Sequence, residues 1–351
     1  MDFRGRLCGS FLMVKFMSET DSLSFLDSRA AMDQSFLATI PVERIVITQD
    51  QRKKASQKLG AWSEEVHMAY SDDFFKSEKA VFSRGQKFLI THQFFFVVRV
   101  EDETTQDVSL YVGDPKVKHY KFQAIRLPSK DKFYERSYVI LDTNEGQVFL
   151  HINHEHIKSK FGHIYISDST GIRYSLSLRN NVRTEDELSD FESVQGLEGI
   201  FFANIYDPII AAKAKNGMIL DAEIPTEKGR ARPGQKETAA VKHPNKRVQD
   251  LDEYKQTRIT FDKGGMWSPL TPPKYDALGD KMECEDKICT LHLHSLSNPN
   301  FGPFYTTENS LGLILGTGNV GRYLSNKEDE VNTYLSRDGG LTWYEVLSAF
   351  L

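Results

Sequence analysis

The chain has 351 residues, 40% hydrophobic and 26% charged, enough for one large core or two. Its formal net charge of −5 leaves no basic footprint, so nucleic acid is not expected as a partner. No run reaches the roughly 18 apolar residues of a membrane-crossing helix. The opening "GSFLMVKFM" is broken by Lys15 and lacks a cleavage site, so it does not read as a signal peptide.

Taken in chain order, residues 1–40 are weakly periodic and are expected to be a weakly ordered segment ahead of one domain over 41–351. Strand signals then dominate. "KFLITHQFFFVVRVE" is rich in aromatic and β-branched residues, as buried strands are. "SYVILDTNEGQVFLHI" reads as two strands around a turn that ends at Gly146. "HIYISDSTGIRYSLSL" repeats that plan, and "LEGIFFANIY", "TRITFDKGGMW", "CTLHLH", "LGLILGTG" and "NTYLSRDGGLTW" follow. Between them, 208–253 is polar and basic and is expected to be an inserted loop. Many short strands separated by turn residues, with few amphipathic helical patterns, predict an all-β sandwich, barrel or propeller.

One turn recurs. "SRDGGLTW" places Ser336, Asp338, Gly340 and Trp343 in the same layout as Thr260, Asp262, Gly264 and Trp267 in "TFDKGGMW". "SDSTGIRY" is a worn copy with Ser167, Gly171 and Tyr174, and with Ser169 in the aspartate slot. "SDDFF" keeps only Ser71 and Asp73. A short aspartate side chain accepts amides of its own turn, glycine permits positive φ, and tryptophan buries a large ring. These residue types stabilise a corner, and none of them supplies a nucleophile or a proton shuttle.

The turn resembles the Asp-box of β-propeller proteins. "YISDSTGIRYSLSL", "GLEGIFFAN", "ITFDKGGMW", "CTLHLH" and "GLILGTGNVG", in this order, resemble the Vps10 domain of the sortilin family. "CTLHLHSLSNP" and "GTGNVG" are most similar to its SorCS subgroup. The resemblance covers Ser71 to Trp343. It implies an all-β, partial β-propeller with Asp-box blades, about five or six of the ten of a Vps10 propeller. It implies a sorting receptor that binds peptide, propeptide or growth-factor ligands, with no cofactor, metal or catalytic residue. The parent receptor would be single-pass type I, in Golgi, endosome or cell-surface membrane, with this segment lumenal or extracellular and a homodimer formed through the parent. About half a ring leaves blade edges open, so the chain alone is expected to bind cargo poorly and to aggregate or pair.

The remaining motifs have plain alternatives. Cys284 and Cys289 suit a small disulfide loop in an oxidising compartment, which the resemblance supports, and would be thiols in a reducing one. As a metal pair they fall short of four ligands. His292 and His294 share one strand face and read as its outer side, with a pH-sensing role open. "GTGNVG" matches a dinucleotide pattern but lacks room for the crossover helix. Arg179, after "YSLSL", is the candidate ligand contact against the alternative of a surface-loop arginine. The rival to a receptor is an Asp-box glycosidase, which needs paired carboxylates that the sequence does not set apart from turns. A non-functional receptor fragment is the third reading.

Overall fold

The computed structural model describes residues 13–17, 44–50, 66–71, 76–215 and 251–348, apart from 78, 92, 103, 106, 115–120, 130–132, 135–136, 143–145, 155–158, 185–187, 283–288, 299 and 302–303. The chain divides into two compact units. One is Met1–Ile157 with Tyr165–Leu176, the other Lys158–Ile164 with Ser177–Leu351.

The first unit opens with a four-stranded antiparallel sheet of β1 (Met13–Met17), β2 (Arg44–Asp50), β3 (Val66–Ser71) and β4 (Lys79–Ser83). The strand β1 lies inside the segment 1–40, the rest of which lies outside the described residues. A five-residue run is too short for periodicity to show; its pairing with the β-branched "RIVITQD" of β2 is what makes it a strand.

Next come β5 (Gly85–Ile90), β6 (Phe95–Val100), β7 (Asp107–Gly113) and β8 (Gln123–Ala124), with β9 (Phe133–Tyr134) also on β7. The strand β6 explains its own sequence. Phe96, Val98 and Val100 enter one core cluster with Val108, Leu110 and Val112. Phe95 and Val97 enter another with Met68 and Phe88. A strand covered on both faces reads as a continuous apolar run instead of an alternation. The predicted hairpin forms from β10 (Tyr138–Asp142) and β11 (Phe149–Ile152), with Tyr138 opposite Ile152 and Gly146 at φ 74°. The strands β12 (Phe161–Ser167) and β13 (Tyr174–Val182) each contribute residues to both units.

The second unit continues with β14 (Phe191–Ser193), β15 (Phe201–Tyr206), β16 (Lys255–Thr260) and β17 (Ser268–Pro269), paired in antiparallel succession. A four-stranded antiparallel sheet follows: β18 (Thr290–Leu293), β19 (Ile314–Gly321), β20 (Asn332–Ser336) and β21 (Tyr344–Leu347). Phe202 and Ile259 from the first of these sheets, and Leu270, which follows β17 and is bridged to Leu291, share a core with Leu291, Leu293, Ile314, Tyr334 and Trp343. The fold is all-β and antiparallel, in agreement with the sequence.

The stretch 208–253, expected to be loop throughout, begins as a helix, α1 (Pro208–Lys215), and closes with a 3-10 turn at Leu251–Tyr254. The Asp207 side chain accepts the amides of Ile209 (2.8 Å) and Ile210 (3.3 Å), and Pro208 occupies the first helical position. Ala211 and Leu251 are buried with Phe161, Val182 and Tyr206. Residues 216–250 lie outside the described residues.

Candidate functional site

The two complete turns share one hydrogen-bond frame. At Thr260–Trp267 the Thr260 hydroxyl donates to Asp262 Oδ1 (2.8 Å) and accepts the Gly264 amide (3.0 Å), while Asp262 Oδ1 accepts the Met266 amide (2.9 Å). At Ser336–Trp343 the Ser336 hydroxyl donates to Asp338 Oδ1 (2.9 Å) and accepts the Gly340 amide (2.8 Å). Asp338 Oδ1 accepts the Thr342 amide (2.8 Å) and Oδ2 the Thr342 hydroxyl (2.5 Å). Positive φ falls on Lys263 and Gly264 in the first turn and on Gly339 and Gly340 in the second.

The tryptophans differ. Trp343 is 4% exposed, lies 6.2 Å edge-on from Phe202, and donates Nε1–H to Gly340 O of its own turn (3.0 Å). Trp267 is half-buried and donates to the Ser177 hydroxyl on β13 (2.9 Å). Ser177 in turn donates to Gly264 O (2.5 Å), tying that turn to the neighbouring strand.

The worn copy uses a different acceptor from the one its alignment suggests. Asp168, not Ser169, takes the carboxylate role: its Oδ1 accepts the amides of Thr170 (3.1 Å) and Ile172 (3.2 Å) and the Thr170 hydroxyl (2.6 Å). Ser167 accepts the Val148 amide (2.8 Å), Gly171 has φ 71°, and Tyr174 is buried. An Asp one residue early still reaches the amide four residues on, as Asp262 and Asp338 do.

All three carboxyls are held below the ordinary Asp range. For Asp262 the Met266 amide is the main cause. For Asp168 and Asp338 burial pushes upward, and the donors of Thr170, Ile172 and Arg173, or of Thr342 and Ser336, outweigh it. Ionised and accepting donors of their own turns, these carboxylates act as corner acceptors.

The second unit holds a buried polar network that local sequence reading missed. Asp190, fully buried, accepts the Ser297 amide (2.8 Å) and hydroxyl (2.6 Å) and Asn204 Nδ2 (3.3 Å). Glu192 accepts the Ser295 hydroxyl (2.7 Å). Thr257 donates to Asn204 Oδ1 (2.7 Å) and accepts the Leu293 amide (2.9 Å). Burial raises both acids: Asp190 upward against Lys255, Ser297 and Asn204, and Glu192 to about 7, helped by Asp190 and opposed by Ser295. Two carboxyls of raised pKa are the raw material of acid–base chemistry. Their oxygens are instead spent on fastening the turn after β18 to β14. The cavity beside them, about 10 Å³ and lined by Phe202, Asn204, Thr257, His294 and Phe304, is no larger than a single water needs and cannot take a peptide. "SDFES", two acids flanking a phenylalanine, was the available signal. It points to two acids without revealing that they are buried.

His292 and His294 are fully buried, which corrects their placement on an outer face. His292 accepts the Thr257 amide (3.0 Å) and contacts Thr290 Oγ1 (3.0 Å). His294 stacks on Phe301, ring centroids 4.4 Å apart. Burial, with Arg258 near one and Lys255 near the other, pushes each down to about 4. Neither gains charge between neutral and endosomal pH, and among the described residues no cluster of metal-ligating side chains occurs.

The glycines of "GTGNVG" belong to sheet packing. A Cβ on Gly318 would lie 1.8 Å from His292 O, and one on Gly316 3.3 Å from Phe304 Cβ. The segment after β19 forms a 3-10 turn at Glu328–Glu330, with no crossover helix among the described residues. Arg179 is exposed on the strand β13, not in a loop. Cys289 is disulfide-bonded, while Cys284 lies outside the described residues.

The family model Sortilin-Vps10, described as sortilin, neurotensin receptor 3, matches residues 16–231 and 238–349. The chain belongs to the sortilin/Vps10 family. The match starts at residue 16, well before Ser71 where the motif resemblance began, so β2, β3 and the last two residues of β1 lie within it. Vacuolar protein sorting/targeting protein 10 of Paracoccidioides brasiliensis (strain Pb03) is 32% identical over 290 residues, 80% of this chain and 17% of that protein. The same-named protein of Mycosarcoma maydis is 27% identical over 299 residues, 84% of this chain and 17% of that protein. The chain thus spans about a sixth of the length of these curated relatives. Among solved structures, a post-proline cleaving enzyme from Rickettsia typhi matches 88% of this chain and 36% of its own at 10% identity and a TM-score of 0.36. The β-propeller domain of the Trilobed protease from Pyrococcus furiosus matches 84% and 65% at 8% identity and a TM-score of 0.30. Scores this low do not mark a shared fold. The family is one of membrane-associated sorting receptors with a propeller domain. Among the described residues, no helix is long and apolar enough to cross a membrane.

Proposed function

We propose that the chain is the lumenal or extracellular, ligand-binding part of a Vps10-type sorting receptor of the SorCS subgroup, taking peptide, propeptide or growth-factor cargo for intracellular trafficking. The observation that carries this reading is the family match over nearly the whole chain. The chemistry of the turns and of the buried network agrees with it: carboxylates that could serve a glycosidase are occupied by backbone amides and serines. The turns then act as structural Asp-box corners, and the protein recognises ligands without transforming them. Arg179, exposed on β13, is the proposed anchor for an acidic group or carboxy-terminus of an extended peptide. Cys284 is the proposed disulfide partner of Cys289, as suits an oxidising lumen. The parent receptor is single-pass type I, resides in Golgi, endosome or cell-surface membrane, and can dimerise.

The test is calorimetric titration of propeptide and growth-factor-derived peptides into the chain and into a version extended through the remainder of the propeller. Saturable binding to the extended protein, weakened by Arg179→Ala at unchanged circular dichroism, supports the reading. Hydrolysis of aryl glycosides by the chain, lost in Asp190→Asn, would replace it with the glycosidase.

A further inference from the structure

The strand β16 carries two rows of side chains. Lys255, Thr257 and Ile259 are buried, while Gln256 and Arg258 stand half-buried on the other face. The register sets Ala203 of β15 and Pro269 of β17 on either side of Arg258. Cross-strand neighbours of opposite charge normally steady a cation on a sheet, and neither of these can. The guanidinium is fixed all the same. Its Nη1 donates to Thr257 O (3.0 Å) and its Nη2 to Gln256 Oε1 (2.6 Å). Gln256 is held in turn through Nε2, which donates to Arg322 O (3.4 Å). Both acceptors on Arg258 are neutral, and among the described residues it forms no ion pair. Of the five N–H donors of a guanidinium, the other three make no bond within the protein.

The carboxylates nearby are already engaged. Burial lowers Arg258 below the ordinary arginine range, and Asp207 opposes this without reversing it. Asp207 Oδ1 accepts the amides of Ile209 and Ile210, and Oδ2 accepts the Tyr323 hydroxyl (3.1 Å). A second guanidinium, Arg322, lies 5.3 Å from the centroid of the Tyr323 ring. Asp252 is held by Lys160 and Lys255, each at 3.1 Å, and by the Tyr206 hydroxyl (2.8 Å). The charge of Arg258 is therefore left largely uncancelled, and it adds to burial in keeping His292 neutral. A partly desolvated cation without a counter-charge is costly to hold. Neutral acceptors fix the guanidinium plane without cancelling its charge, which prepares it for an incoming carboxylate.

We propose that Arg258 is a carboxylate-binding subsite, with Arg322 beside it, that takes a glutamate or aspartate side chain of a bound peptide. The peptide nature of the ligand rests on the proposed receptor function. The subsite is distinct from Arg179, which lies on β13. The planar fork of Arg258 meets both oxygens of a carboxylate, whereas a lysine there would supply the charge without the fork. Arg322, exposed, adds attraction more than alignment.

Calorimetric titration of the chain with hexaglutamate, against hexaglutamine, tests this. Hexaglutamate is expected to bind saturably and hexaglutamine not at all. Arg258→Gln is expected to weaken hexaglutamate at least about tenfold, and Arg258→Lys nearly as much because the fork is lost. Arg322→Gln should cost a few-fold, and Arg179→Ala should leave hexaglutamate binding unchanged. Circular dichroism confirms the fold of each variant, and Arg258→Lys carries the test should Arg258→Gln fail to fold. Equal binding of the two peptides, a folded Arg258 variant that binds hexaglutamate like the parent, or binding of a heparin hexasaccharide but not of hexaglutamate would each overturn the proposal. Should hexaglutamate fail while the extended protein still takes propeptides, the subsite falls and the receptor function stands. Hexaglutamate bound through Arg258 by a protein that takes no propeptide keeps the subsite and removes the receptor function.

Discussion

Carboxylates at the surface turns and in the buried network do the same local work under opposite electrostatics. Asp262 and Asp338 accept amides of their own hairpins at the surface, and those donors hold them below the ordinary Asp range. Asp190 and Glu192 accept comparable donors from the turn after β18, yet both are raised. Water solvates the first pair and is excluded from the second. Hydrogen bonds decide the direction where solvation is nearly intact, and burial decides it where solvation is lost. A perturbed carboxyl therefore does not by itself mark a catalytic site in this molecule.

The comparison implies that a surface turn owes most of its stability to its aromatic residue, not to its acid. Trp343→Ala should cost about 4 kcal/mol in urea unfolding, since it empties a buried site beside Phe202. Trp267→Ala, half-buried, should cost about half of that. Equal losses for the two would show that exposure is the wrong guide.

Asp190→Ala should follow, at about 3 kcal/mol, because it strands Ser297 and Asn204 donors in the interior. Asp338→Ala leaves its freed donors near water and should cost about 1 kcal/mol. If Asp338→Ala proves the more damaging of the two, the surface-versus-interior distinction fails.

The smallest effect is one of pH. The raised pKa of Glu192, about 7 when folded against 4.5 ordinarily, makes its contribution full below the ordinary value and lost as pH rises through 7. Glu192→Gln should therefore gain stability relative to the parent as pH goes from 5 to 8, by about 1 kcal/mol or more. His292 and His294, lowered to about 4, work the other way, losing stability as pH falls from 6.5 through 4. Taking the difference between variant and parent melts cancels their share. A difference that does not change over that pH range would mean Glu192 is ionised in the folded protein.

Much of the fold was legible locally. Strand type along β6, β11 and β16, the hairpin at Gly146, and both complete turns follow from β-branched runs and from Ser/Thr–Asp–Gly spacing, because each is decided within a few residues. The helix α1 was also signalled, by Asp207 and Pro208, but the polar stretch behind it masked the cap. The shift from Ser169 to Asp168 shows a limit of pattern matching: a turn needs an acceptor within reach of the amide, and two slots can provide it.

By itself the sequence determined the all-β class, the chemistry of the corners and the family. These rest on local conformational preference and on motif order, which need no knowledge of what lies across the molecule. Tertiary structure alone decided that β1 pairs with β2, that "LHLH" sits inside and not outside, and that Asp190 and Glu192 serve as fasteners. The alternation in "LHLH" is the same whichever face is buried; Thr257 on a neighbouring strand and Phe301 in the loop after β18 cover the histidines. Burial, and with it the protonation of every group in the network, is set by contacts between residues far apart in the chain, and local spacing carries no record of them.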